Sequence, residues 1–144
     1  MRGLYYWLVG ANTGANKQPA VSFGLLVLRV GAGLMMALSH GWGKLNSFGD
    51  LATRFPDPYG LGSGLSASLA VFAEFFCSLA LILGLFTRGV VIPLIITMLT
   101  AGLIIHADDP FQRKELAFMY LTVYMTLFFT GAGKYSIDNV LGRK

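Results

Sequence analysis

Two charged side chains stand where charge is costly. Arg29 interrupts the apolar run Val21–Leu38 (VSFGLLVLRVGAGLMMAL), and Glu74 interrupts the run Leu65–Phe86. An ionised group at mid-membrane depth costs roughly 2.5–3.5 kcal/mol even on lenient insertion scales, so each needs an answering group. Arg29 enters eight residues from the start of its run and Glu74 nine from the start of its own. If the two runs are antiparallel helices, both charges reach the middle of the layer from opposite sides. Arg29 and Glu74 are therefore the candidate intramembrane polar pair. Such a pair serves as a structural ion pair that lowers mutual desolvation, or as a proton or ligand site facing an internal cavity.

Other polar residues gather near one end of this arrangement. His40 follows Arg29 by eleven residues, which at about 100° per residue leaves the two about 20° apart on one helix face. Lys44 lies roughly 60° round from Arg29, with Trp42 between it and His40 in the sequence. On the last apolar stretch Glu115, Met119, Thr122 and Thr126 recur at helical spacing and form a stripe; threonines there also satisfy their own backbone carbonyls. The candidate pocket is His40, Trp42, Lys44, His106, Glu115 and Thr122, open to one face of the layer. A histidine titrates near neutral pH and relays protons, so proton handling or hydrogen bonding to a ligand carbonyl is the chemistry on offer. No catalytic set is defined. No pair of histidines has the i, i+4 ligand spacing, so no metal site is expected. Cys77 is the single cysteine, which excludes an internal disulfide and a CxxC redox pair.

The elements that position these groups follow from composition. The 144 residues are 55% hydrophobic and only 12% charged, about half the charge of an ordinary soluble domain. Lipid is the solvent for most of the chain. The expected fold is an all-α integral membrane four-helix bundle, with spans near 21–40, 65–86, 89–106 and 115–132 and an outer loop folded over the bundle mouth. Pro93 falls in the first turn of the third span, where its missing N–H costs little. The loop Gly41–Gly64 carries Pro-Asp-Pro and repeated glycines, which mark turns. Residues 1–20, with Tyr5, Tyr6 and Trp7, read as an N-terminal interfacial segment rather than a cleaved leader, and 21–144 as the membrane domain. The net charge of +4 is scattered rather than gathered on one face, which gives no sign of nucleic acid as a partner. Lys and Arg outnumber six to four on the side holding the N-terminus, the Thr87–Arg88 turn and the C-terminal tail. The positive-inside rule then places both termini in the cytoplasm of a bacterial-type inner membrane.

In order and spacing, LRVGAGLMMALSHGWGK, AEFFCSLALILGLFTR, FPDPYGLG, HADDPFQRKEL and GAGKYSIDNVL resemble the DoxX-like family of small four-helix membrane proteins. The resemblance spans nearly everything from 22 to 142. It implies an inner-membrane bundle associated with redox systems, whose relatives are described as subunits of quinone-linked sulfur oxidoreductases or partners of thiol-stress enzymes. Its recurrent polar positions fall on Arg29, His40, Lys44, Glu74, Arg88, His106 and Glu115, and its closing motif on Gly133, Tyr135, Ser136 and Asp138. On that basis the chain is expected to be a quinone-associated accessory subunit of a larger oxidoreductase. No cofactor is expected to be covalently bound, and Phe72, Phe75 and Phe128 are available to line a quinone slot. A redox enzyme, the lipid bilayer and a second copy are the candidate partners. The alternatives are a non-catalytic scaffold and, with four helices and no inverted repeat, a small-molecule carrier.

Overall fold

A computed structural model of the chain describes residues 18–142. The expected interfacial segment lies outside the described residues up to position 17. Every regular element among the described residues is helical.

Helix α1 runs Pro19–Asn46, with Pro19 at its first position, where the missing N–H is an orphan in any case. Its 28 residues make it about 42 Å long. Helix α2 is the short Phe48–Arg54. Helix α3, Ser63–Leu83, starts behind Gly62 at φ +90° and stops at Gly84 in the left-handed conformation, φ +66°, a stop that glycine makes cheaply. Helix α4 is Thr87–Ile105, α5 is Phe111–Thr130 and α6 is Ile137–Leu141, capped by the Ser136 hydroxyl accepting from the Asn139 N–H.

Helices α1, α3 and α4 are long and apolar enough to cross a membrane. Helix α5 begins four residues before the expected Glu115, so its first two turns carry Arg113, Lys114 and Glu115 as well as its apolar length. The expected inter-span loop also proves partly helical. Helix α1 continues through Trp42–Asn46, α2 follows, and only Phe55–Gly62 is irregular, where the prolines and glycines cluster. Pro93 lies inside α4 rather than in its first turn, because that helix starts at Thr87.

The long helices pack antiparallel around a core of Met36, Leu81, Leu94, Tyr124 and Leu127. Helices α1 and α3 approach closely at two glycines. A Cβ on Gly33 would fall 3.1 Å from the Ser78 carbonyl oxygen, and one on Gly41 would fall 2.8 Å from Glu74 backbone atoms. These two glycines set the register of α1 on α3. Each of the three long apolar helices also contains a π-helical stretch, Ala37–Gly41, Phe72–Cys77 and Ala101–Ile105. Such insertions concentrate at functional sites; here those of α1 and α4 lie toward the end that holds the loop 55–62, and that of α3 lies at mid-helix and carries Glu74.

Candidate functional site

The register built by Gly33 and Gly41 decides where the charges go, and it separates the expected Arg29–Glu74 pair. Gly41 stands level with Glu74, while Arg29 stands level with Leu81 and Ile82. Glu74 precedes Leu81 by seven residues, about 10 Å along α3. The expectation counted residues from the ends of the apolar runs. The helices actually extend to Pro19 and Asn46 on one side and begin at Ser63 on the other, so that count misplaced both charges.

Arg29 is 2% exposed. Its guanidinium donates to the carbonyls of Leu81 (3.2 Å), Ile82 and Tyr135. The site is closed by Gly84, where a Cβ would fall 2.7 Å from an Arg29 terminal nitrogen and 2.6 Å from the Ser136 Cβ. Beside it, buried Asp138 accepts the N–H groups of Phe86 (2.7 Å) and Thr87 (2.8 Å), and the Asp138 N–H returns to the Gly84 carbonyl at 2.9 Å. Burial pushes the Asp138 carboxyl above the usual range, against those two bonds and the nearby Arg29 charge. Arg88 donates to the Phe129 carbonyl at 2.9 Å. The closing motif thus ties α1, the α3–α4 turn and α6 into one knot.

Glu74 finds its counter-ion at the other end. Its carboxylate pairs with the Lys44 ammonium, at side-chain exposures of 7% and 27%. The pair forms because α1 stays helical past the apolar run and delivers Lys44 to the α3 face opposite. It also forms one end of a cavity of about 310 Å³. Helix α3 contributes Ser66, Leu69, Ala70 and Glu74 to the walls, and α4 contributes Ile96, Thr97, Thr100, Ala101 and Ile105, with His106 just beyond its end. Phe55, Pro56, Pro58, Tyr59 and Leu61 roof it. The roof is braced. The Tyr59 hydroxyl and Thr100 Oγ1 are 2.8 Å apart, and Asp57 accepts from Leu61 N–H, Gly62 N–H and the Ser66 hydroxyl at 2.7–2.9 Å. Those bonds, that of Gly62 foremost, hold the Asp57 carboxyl below its ordinary value.

Of the pocket residues expected from the sequence, Lys44 and His106 line this cavity and the others do not. The His106 ring lies 2.7 Å from Asp109, which also takes Arg113 at 3.3 Å; both contacts, the histidine's first, draw the Asp109 carboxyl down. His40 meets the edge of Tyr120 at 6.1 Å. Trp42 packs on Phe75 at 5.9 Å and is half-exposed. Glu115 and Thr122 face outward, because α5 turns its tyrosines inward and Thr122 bonds the Phe118 carbonyl of its own helix. The aromatic groups at the cavity are Phe55 and Tyr59, whereas Phe72 is exposed. The loop aromatics and the small polar residues of α3 and α4 gave no periodic signal that singled them out. No group of three or more His, Cys, Asp or Glu able to hold a metal occurs among the described residues.

Apolar helices of spanning length, closed by a buried charge knot at one end and hollowed at the other, define a multi-pass membrane protein. Residues 24–107 match the DoxX family, and the chain belongs to that family as an integral inner-membrane protein. It is 31% identical over 126 residues to the inner membrane protein YqjF of Escherichia coli, covering 84% of this chain and 94% of that protein. It is 30% identical over 105 residues to an uncharacterized protein of Haemophilus influenzae, covering 69% and 70% respectively. No solved structure matches it.

Proposed function

We propose that this protein is an accessory membrane subunit that holds a quinone-type ligand in the cavity beside Lys44 and Glu74, for a redox partner that supplies the electrons. What supports the reading most is the composition of that cavity: apolar walls meeting one part-buried ion pair. A flat, neutral, carbonyl-bearing ring needs an apolar slot and a donor at its oxygen. The Lys44 ammonium is such a donor, and Glu74 leaves the site neutral overall, so the ligand it suits carries no charge. When bound, a quinone supplies two-electron, two-proton carrier chemistry. The chain's own part is to seat the ring, exclude water with the Phe55–Leu61 roof, and move a proton between Glu74 and the ligand oxygen. In this reading α5 is the fourth span, both termini are cytoplasmic, and the cavity faces the opposite side of the membrane.

The test is purification with native lipid followed by mass spectrometry of bound small molecules, in parallel with quinol-coupled activity in membranes. The expected result is a co-purifying quinone and a loss of coupled activity in Glu74→Gln. Absence of any quinone together with unchanged activity would contradict it. A stably folded Lys44→Leu/Glu74→Leu double variant that supports the cell normally would instead point to a non-catalytic scaffold.

A further inference from the structure

The walls of the cavity are not equally closed. Helix α4 packs far more closely along Phe72–Leu83 of α3 than along Ser63–Val71, so the two helices part toward their outer ends. Leu69 of α3 and Ile96 of α4 stand where the two helices part. Both line the cavity, yet both are about half exposed, at 50% and 54%. Leu69 lies six residues inside the end of α3, about 9 Å, and Ile96 nine residues inside the end of α4, about 14 Å. At those depths on helices of spanning length, the exposed surface of a leucine and an isoleucine suits acyl chains better than water. Above these two residues, the Tyr59–Thr100 hydrogen bond and the bonds to Asp57 fasten the roof down on both helices.

We propose that the cavity is entered sideways from the bilayer, through a slit between Leu69 and Ile96, and not from the aqueous face through the roof. The ligand is then a membrane-dissolved neutral lipophile whose head reaches Lys44 and Glu74 while its tail stays among the lipids. Two features of the cavity exclude the other classes of occupant. The ion pair at the deep end cancels its own charge, so a fatty acid or phosphate headgroup would gain Lys44 only by facing Glu74. The route itself lies in apolar surface, which a water-soluble ligand has no reason to cross. The inference rests on the ligand-holding reading above, but the route is measurable without any quinone.

The experiment places one thiol in the cavity, Ala70→Cys or independently Thr97→Cys, on a Cys77→Ala background in lipid nanodiscs. Its rate of modification is compared between a membrane-dissolved N-alkyl maleimide and a charged, membrane-impermeant maleimide. We expect the lipophilic reagent to react at least tenfold faster. Plugging the slit with Leu69→Trp or Ile96→Trp slows that reaction severalfold, and Tyr59→Phe leaves it unchanged. If the charged reagent reacts as fast, or if Tyr59→Phe accelerates it while the tryptophans do nothing, the route is aqueous and the proposal falls. A thiol that neither reagent reaches in either variant overturns it as well. Adding a short-tailed benzoquinone whose ring is fully substituted, so that it cannot itself add to the thiol, separates the route from the ligand. Protection of the thiol supports both, whereas an intact lipid preference with no protection upholds the lateral route and removes the quinone.

Discussion

The two ends of this bundle each bury a charge, and they do so in opposite ways. At the Arg29 end the cation is answered by backbone: three carbonyls from two segments, with Asp138 holding the α3–α4 turn alongside. None of those residues lines the cavity at the other end, and Gly84 is pressed against the guanidinium. At the Glu74 end the answer is a single flexible side chain, Lys44, and the pair borders open space. A charge satisfied by fixed carbonyls cannot exchange partners without unfolding the turn, whereas a carboxylate held by a mobile ammonium can. The comparison assigns architecture to one end and chemistry to the other.

Breaking the architectural end should have the largest effect. Arg29→Met removes the donor to three carbonyls and the charge beside Asp138. We expect a loss of about 3–5 kcal/mol, the range for deleting one member of a buried charged network, read as a lowered unfolding midpoint in detergent. Gly84→Ala adds a methyl where φ is +66° and Arg29 and Ser136 already fill the space. The conformational and overpacking terms together give about 2–5 kcal/mol. An unfolding midpoint unchanged in both variants would show that the knot does not hold the fold.

The chemical end should respond the other way. Glu74→Gln still offers an oxygen to Lys44, and a lysine that is part-exposed can turn its head toward water. The expected stability cost is about 1 kcal/mol, with the loss falling on ligand retention instead. A destabilisation as large as that of Arg29→Met would erase the contrast between the ends.

The smallest effect concerns the roof. The Asp57 carboxyl is held below its ordinary value of 3.8 by its hydrogen bonds. A depressed carboxylate contributes order that is present above its unfolded value and lost as pH falls through the folded one. Protease or hydrogen-exchange access to residues 55–62 should therefore rise a few-fold below about pH 4. In Asp57→Asn the same access should be raised already at neutral pH. Access that ignores both changes would mean that Asp57 does not brace the roof.

The sequence carried the fold class in its long apolar runs, and the family in the order of its motifs. It did not carry the partner of Arg29. That partner depends on the axial register of two antiparallel helices, which Gly33 and Gly41 set through contacts no single run reveals, and on α1 staying helical as far as Lys44. Arg29 and Glu74 were each visible as charges requiring an answer, but the answers lay in backbone carbonyls and in a lysine beyond the apolar run. The α5 stripe misled for a different reason. Threonine hydroxyls bonded to their own helix can face outward at little cost, so Thr122 and Thr126 report no pocket. Asp138 and Gly84 were legible only as parts of motifs, since a glycine stop and a lone acid fifty-four residues apart show their pairing only once folded.

The most direct test of the contrast is photocrosslinking with a lipophilic quinone analogue in native membranes, followed by peptide mapping. Adducts should fall on Ser66–Glu74 and Ile96–His106, and should disappear in Glu74→Gln while Arg29-end peptides stay clean. Adducts concentrated on the closing segment 131–141, or spread evenly over the lipid-facing surface and untouched by that substitution, would contradict it.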